Sequence, residues 1–479
     1  MFIIAHTMPH WSVLYLTSEW AIRFVMLIYV PQRRTAAASR TWLLLIFLLP
    51  WPGLALYALF GRIYVSKRRL ELQRRASARI QEVQSQIKTR VVAVPALPEY
   101  LAHLPLLAAR LGDFEPFGGN RVELLADYQG SLDRFIADIG DARAHVHILT
   151  YILGEDATAR RIMEALKLAA KRGVTCRLMA DAVGSKAGLA ALGAELRAAG
   201  IEVVTMLPVG IFRHNAARFD LRNHRKIAVI DGTIGYVGSQ NLAGPNFVPG
   251  FPNEELVARV TGPVVAQMQA VLLADRSCEM DASVEAPHVF PEVASPGTSP
   301  AQVLPSAPGH HRENAEELLV AMLYAARKRV VITTPYFVPG EPFLEALRSS
   351  ARRGVDVRLI VSQHANQPFT QYAQRSYYDE LLSAGIRVHL YRPGFLHAKH
   401  LTVDDSIAML GSTNIDIRSF ALNAEISLII YDPEVVAAVI AVQERYLAES
   451  DELDLATWRE RPASQKMLQN IARLADSLL

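Results

Sequence analysis

The sequence predicts an α/β protein: two homologous α/β halves with a sheet each, preceded by N-terminal membrane helices. Three observations lead there. A motif is written twice at one offset: His224-Arg225-Lys226, Asp231 and Gly238-Ser239-Gln240-Asn241 recur 173 positions later as His397-Ala398-Lys399, Asp404 and Gly411-Ser412-Thr413-Asn414. From about Asn120, short β-prone runs alternate with stretches of helical apolar spacing. Long uncharged apolar sequence is concentrated near the N-terminus, although the chain as a whole is 51% hydrophobic. At 479 residues the chain exceeds one ordinary compact domain, and the repeat indicates how it divides.

Trp42 to Phe60 is uncharged and about as long as a bilayer core requires at roughly 1.5 Å per residue. Pro50 and Pro52 within it predict a kink or a re-entrant turn. The preceding segment, about 10–30, carries Glu19 and Arg23 at i,i+4 spacing, which lets them pair on one face. It either spans with help from that pair or lies in the interface. No Lys or Arg precedes it and no small-residue cleavage site follows, so a cleaved signal peptide is not expected. More basic residues follow Phe60 (Arg62, Lys67, Arg68, Arg69, Arg74, Arg75, Arg79) than lie between the segments (Arg33, Arg34, Arg40), which points the long C-terminal part toward the cytoplasm. Residues 62–90 read as a basic helix, either along an anionic lipid surface or as a solvated spacer.

The expected organisation is a membrane anchor over 1–61, a basic helical connector over 62–119, a first half over 120–280, a Pro/Ser-rich linker over 281–314, a second half over 315–450 and a helical tail over 451–479. In the first half, strands are expected at 144–153, 174–180 and 201–206, with helices at 159–172, stopped by Gly173, and 188–199. The second half repeats this with strands at 329–334 and 355–361 around a helix at 341–353 closed by Gly354. Alternation of this kind implies mostly parallel or mixed sheets covered by helices. Met467, Leu468, Ile471, Leu474, Ala475 and Leu478 form an apolar stripe expected to dock on the host domain, with membrane contact as the alternative.

Composition narrows the function classes. A net charge of +3 does not make the whole molecule a polyanion binder, and no basic, aromatic strand-binding stripe for nucleic acid is evident. Cys176 and Cys278 lack a C-x-x-C partner or a neighbouring His pair, so they read as free thiols and no metal site is expected. His288, His310 and His311 read as solvated loop residues, and His364, His389 and His400 as packing or surface residues.

The duplicated motif carries the chemistry. In an extended strand, residues i and i+2 face one side, so H-x-K presents an imidazole and an ammonium together. An imidazole can attack phosphorus or protonate a leaving oxygen. A lysine offsets charge on the nonbridging oxygens. Ser239 and Asn241, and Ser412 and Asn414, are expected to donate to the same oxygens. An acidic residue follows in each half, Asn253-Glu254-Glu255 and Asn423-Ala424-Glu425, placed to bond the far imidazole nitrogen. Asp231 and Asp404 are read as site residues or as turn formers at strand ends. Arg213, Arg218, Arg222 and Arg225, with His214, Phe212 and Phe219, form a basic and aromatic cluster that reads as a receiver of anionic headgroups, with a solvated loop as the alternative.

The duplicated H-x-K-x4-D followed by G-S-x-N resembles the phospholipase D superfamily, and the apolar pair, basic connector and two halves resemble bacterial cardiolipin synthases. Supporting stretches are 222–231, Thr-Thr-Pro-Tyr-Phe-Val-Pro at 333–339 and Arg-Ser-Phe-Ala-Leu-Asn-Ala-Glu at 418–425. The resemblance implies phospholipase D-like halves and a cofactor-free, metal-independent phosphatidyl transfer at the bacterial inner membrane. One phosphatidylglycerol gives its phosphatidyl group to another through a phosphatidyl-histidine, leaving cardiolipin and glycerol. His224 would be the nucleophile and His397 the acid/base, although the repeat makes these roles interchangeable. Lys226 and Lys399 would hold the phosphate, Glu255 would orient His224, and Glu425 would orient His397. Hydrolysis, another alcohol acceptor, a nuclease of the same superfamily and a non-catalytic scaffold are the competing readings.

Overall fold

The computed structural model describes residues 10–34, 36–61, 68–78, 81, 92–209, 220–280, 289–292, 294–309 and 313–474. His288, His310, His311, Phe212, Arg213, His214, Arg218 and Phe219 lie outside these residues. The chain forms two units, Met1–Tyr64 with Leu474–Leu479, and Val65–Arg473.

In the N-terminal unit, helices His10–Tyr29, Ala36–Leu48 and Pro50–Leu56 follow one another, the last running into a π turn at Tyr57–Gly61. Met26, Val30, Trp42, Ile46 and Tyr57 make a small core, with the Trp42 and Tyr57 rings edge to face at 5.3 Å. Trp11, Trp20, Phe24, Leu44 and Leu48 point outward, an apolar surface suited to lipid rather than water. The apolar stretch 42–60 breaks at Leu49, in line with the kink or re-entrant turn expected from its prolines. Proline lacks an N–H and clashes with the preceding turn, so the helix ends at Leu48 and restarts with Pro50 in its first turn. The helix long and apolar enough to cross a membrane among the described residues is instead Trp11–Tyr29, of 19 residues. Its charges are accounted for: Arg23 pairs with Glu19 at 3.3 Å, and its Nε donates to the Phe47 carbonyl at 3.2 Å, beside the helix break.

The second unit is built on two half-sheets of equal strand order. In the first half, Glu202–Met206, Thr175–Asp181 and His145–Thr150 run parallel, then Ile227–Ile230, Ile234–Gly238 and Val257–Thr261 continue antiparallel. In the second half, Arg387–Tyr391, Asp356–Ser362, Arg329–Thr333, His400–Val403, Ile407–Gly411 and Asn423–Ile430 repeat that order. Covering helices start on side-chain caps such as Asp156, which accepts from the Ala159 N–H. Gly173 and Gly354 follow their helices with φ of 89°.

The half-sheets do not stay separate. Phe117–Leu125 extends the first, Ser299–Ser306 extends the second, and these two strands pair antiparallel to make one continuous sheet. Ser299–Ser306 falls inside the stretch expected to be linker, where Pro300 and Pro305 hide a buried strand from periodicity. One core cluster draws on both halves, including Val229, Val237 and Val260 from the first and Leu410, Ile426 and Leu428 from the second.

Two peripheral expectations change. Within the expected connector, residues 68–78 dock on the catalytic unit: Arg69 pairs with Glu279 at 2.7 Å, and Gln73 donates to the Pro308 carbonyl at 3.3 Å. The C-terminal helix Ala463–Leu474 buries Gln469 and Ala472, and leaves Met467, Leu468 and Ile471 exposed. The described part of the apolar stripe is therefore exposed rather than docked as expected; Ala475 and Leu478 lie outside the described residues.

Candidate active site

Each H-x-K tripeptide is a junction between strands. Arg222–Asn223, just before the first, pairs in parallel with Asn423–Ala424 of the second half. Phe395–Leu396, just before the second, pairs in parallel with Asn253–Glu254 of the first half. The residues after each tripeptide enter their own half-sheet. The register continues through the histidines: the His224 N–H donates to the Ala424 carbonyl at 2.9 Å, and the His397 N–H donates to the Glu254 carbonyl at 2.8 Å.

That exchange crosses the histidine–carboxylate pairs. Glu425 follows Ala424, and His224 Nδ1 lies 2.9 Å from Glu425 Oε1. Glu255 follows Glu254, and His397 Nδ1 lies 2.8 Å from Glu255 Oε1. The expected pairing of Glu255 with His224 and Glu425 with His397 is therefore reversed, because each N-x-E strand adds to the opposite half. Asn253 and Asn423 each donate to the carboxylate two residues on, at 3.3 Å.

The serines back the carboxylates rather than face outward. Ser412 Oγ donates to Glu425 Oε2 at 2.5 Å, and Ser239 helps hold the Glu255 pKa down. Both hydroxyl oxygens also accept a backbone N–H, from Ile426 and Leu256, each at 3.0 Å. Gly238 and Gly411 permit this close packing: a Cβ there would sit 2.7 Å from Val257 Cα and 2.8 Å from Ser427 Cα. Asn241 Oδ1 accepts the Ile152 N–H at 3.1 Å, so it braces a loop. Asn414 is buried with its Oδ1 unbonded.

Asp231 and Asp404 are not at the site. Each ends its strand, roughly 16 Å of extended chain beyond the motif lysine. Asp231 accepts the N–H groups of Arg143, Ala144 and His145 at 2.7–2.8 Å. Asp404 does the same for Arg327, Lys328 and Arg329 at 2.7–2.9 Å. Both take positive φ, 52° and 50°. These carboxylates clamp the start of the neighbouring antiparallel strand. Their identical spacing reflects a repeated turn, and they are removed from the set that can touch phosphorus.

The basic cluster is also reassigned where it is described. Arg222 is buried on Asp181 at 3.2 Å, and Arg225 is buried on Asp275, the Glu425 carbonyl and the Ser306 carbonyl. Both hold the junction in place instead of receiving headgroups. His400 is buried beside Gln443, turned away from the histidine–lysine face.

Electrostatics couple the two motifs, each histidine feeling the lysine of the other half. Each histidine is pushed down mainly by burial and also by both motif lysines, against the pull of its glutamate; for His397 the result is about 4. Burial, opposed by the glutamates, brings Lys226 down to about 7 and Lys399 to about 8. Against burial, the imidazoles and lysines hold Glu425 below its ordinary value and Glu255 at about 2. An ionised carboxylate only accepts, so each Nδ1 carries the hydrogen and each neutral Nε2 keeps a lone pair. Aromatic rings fix the imidazoles: Tyr151 lies 4.7 Å from His224, and Phe247 and Phe395 lie 5.4 and 5.7 Å from His397. Sequence reasoning missed Tyr151, Phe247, Phe395, Asp181 and Asp275, which carry no local motif; only the fold brings them together.

Two imidazoles, each with Nδ1 on a carboxylate and a lysine two residues on, make a centre suited to phosphodiester transfer. The chain belongs to the cardiolipin synthase, phospholipase D-like domain family, whose model matches residues 135–275 and 319–447. It is an enzyme of the phosphatidyltransferase class. It is 34% identical to cardiolipin synthase A of Proteus mirabilis strain HI4320 over 464 residues, covering 93% of this chain and 94% of that protein. It is 33% identical to cardiolipin synthase A of Yersinia pseudotuberculosis strain IP 31758, covering 94% of each. Among solved structures, phosphatidylserine synthase of Haemophilus influenzae Rd KW20 shares the fold, with a TM-score of 0.57 at 15% identity over 75% of this chain and 95% of that one.

Proposed function

We propose that this enzyme makes cardiolipin and glycerol from two molecules of phosphatidylglycerol, through a phosphatidyl-histidine. The observation that carries the reading is the crossed pair of imidazoles, each with Nδ1 on a carboxylate of the other half and Nε2 without a partner among the described residues. In the first displacement, His224 Nε2 attacks phosphorus, the bond to the glycerol oxygen breaks, and His397 gives that oxygen its proton. Glu255 stabilises the imidazolium this requires, and the arriving phosphodiester anion raises the His397 pKa from its resting value. In the second, a hydroxyl of another phosphatidylglycerol gives its proton to His397 and attacks phosphorus, and the P–N bond breaks. Lys226 and Lys399 lie against the nonbridging oxygens and supply the positive charge the transition state needs, so no cofactor or metal is required. The basic run after the apolar segments supports a cytoplasmic catalytic unit on an anionic inner membrane.

The purified full chain, given phosphatidylglycerol in detergent with a chelator, is expected to release glycerol and form the four-chain lipid. Phosphatidic acid as the only product would move the reading to hydrolysis. His224→Ala and His397→Ala are each expected to lower turnover by about 10³-fold or more; normal turnover in either variant would remove the two-histidine scheme.

A further inference from the structure

One arginine at the site has no task in the chemistry described so far. Two guanidinium groups are felt at the Tyr151 hydroxyl, beside His224: those of Arg222 and Arg418. Arg222 is buried and paired with Asp181. Arg418 is half-buried and makes no ion pair among the described residues. One of its N–H groups donates to the Asp220 carbonyl at 3.3 Å, which fastens it to the chain entering the His224 strand. Its other donors have no partner among the described residues. Asp416, the carboxylate two residues back, is buried with its Oδ1 on the Ser419 N–H at 2.7 Å. The first half has no counterpart. At the 173-residue register, Pro245 stands where Arg418 does and Ala243 where Asp416 does, and the Pro245 carbonyl is taken by the Asn253 N–H at 2.7 Å. The second half instead forms a helical turn, Ile417–Ala421, that carries Arg418. The repeat thus supplies a lysine from each half, and the second half alone adds a further cation on the His224 side.

We propose that Arg418 holds the phosphodiester of the acceptor lipid, making a second phosphate site beside the first. The proposal rests on the reading above, in which a second phosphatidylglycerol brings the attacking hydroxyl. Three carbons and one oxygen separate that hydroxyl from its own phosphorus, so a second anion arrives within one glycerol of the reacting phosphate. Two phosphates that close repel unless each has its own counter-charge. Lys226 and Lys399 serve the reacting phosphorus. A guanidinium suits the other: it presents a planar fork of donors to two phosphate oxygens and keeps its charge at every pH the enzyme meets. Arg418 therefore selects a glycerol that carries a phosphate over water, free glycerol and an uncharged monoacylglycerol with the same diol.

The test uses the full chain in neutral detergent micelles with the p-nitrophenyl ester of phosphatidic acid as donor. One motif histidine displaces nitrophenolate, forming P–N as the P–O bond breaks. The acceptor hydroxyl then displaces the histidine and passes its proton to the other histidine. The acceptors are phosphatidylglycerol with deuterated chains and 1-monoacylglycerol, which share the diol and differ in the phosphate. The unaltered protein is expected to give a nitrophenolate burst, and to reach half-maximal transfer at a mole fraction of phosphatidylglycerol about tenfold lower than of monoacylglycerol. Arg418→Gln is expected to raise the phosphatidylglycerol value about tenfold and the monoacylglycerol value less than about twofold, with Arg418→Lys in between. An unchanged phosphatidylglycerol dependence in a variant that retains the burst overturns the site. So does an equal loss with both acceptors, which is the mark of a structural role or of a bystander lipid. If Arg418→Gln does not fold, the unaltered protein decides: equal half-maximal values for the two acceptors overturn the site. An unaltered protein with no burst retires the two-step reading and the site with it, whereas a burst with equal acceptors retires the site alone.

Discussion

At the residue scale, the carboxylate that serves each imidazole comes from the other half, and this can be read spectroscopically. Glu255 raises the His397 pKa against burial. Glu255→Gln is therefore expected to lower the His397 titration further, seen by ¹⁵N NMR of labelled histidine, and to leave His224 in place. A shift at His224 instead would contradict the crossed pairing. The same substitution is expected to lower turnover by about 10²-fold or more, since an amide neither fixes the tautomer nor stabilises the imidazolium as a carboxylate does. The lysines set a second, pH-dependent prediction. Lys226 and Lys399 stand at about 7 and about 8, so both lose charge as pH rises through that window. A bound anion favours the charged forms, so binding takes up protons, and affinity for a non-reactive phosphonate in neutral micelles is expected to weaken from pH 6 to 9. Affinity that strengthens over that range would refute it.

At the element scale, the motif aspartates act on strand starts. Asp404 is buried and accepts three backbone N–H groups, which lose their partner when it is removed. Asp404→Ala is expected to cost about 2–4 kcal/mol of stability in denaturant unfolding, with kcat per folded molecule within a few-fold of the parent. A folded Asp404→Ala protein with no activity would return Asp404 to the chemistry. The helix Val265–Met280 shows how one element serves distant parts: Asp275 holds Asn223 at 2.8 Å and Arg225 on either side of His224, and Glu279, one turn on, holds Arg69 of the connector. The strands Phe117–Leu125 and Ser299–Ser306 weld the half-sheets. The halves are thus sister lobes of one body, neither complete without the other.

At the scale of the whole molecule, the N-terminal unit has its own small core, built from Met26, Val30, Trp42, Ile46 and Tyr57, and none of these residues belongs to the three clusters of the catalytic unit. Removing residues 1–61 is expected to leave a protein that unfolds cooperatively and turns over phosphatidylglycerol in mixed micelles, but no longer sediments with phospholipid vesicles. Loss of cooperative unfolding would show that the catalytic unit depends on the anchor. The N-terminal surface, with Trp11, Trp20 and Phe24 outward, is the reason for expecting lipid to be its partner.

Much of this was legible in the chain. Local periodicity placed most of the α/β strands and helices within a few residues, because apolar spacing and helix-stopping glycines act over short range. The 173-residue repeat identified both histidines and both lysines, since like chemistry in like register survives without knowledge of the fold. Pro50 and Pro52 marked the break in 42–60 by local chemistry, because proline lacks an N–H. Two things needed the tertiary structure. Pairing between strands far apart in sequence decided which glutamate serves which histidine, a long-range register that no local signal encodes. Packing decided that Asp231 and Asp404 serve backbone amides, because an aspartate's role depends on which donors surround it, and these donors arrive from strands 75–88 residues away.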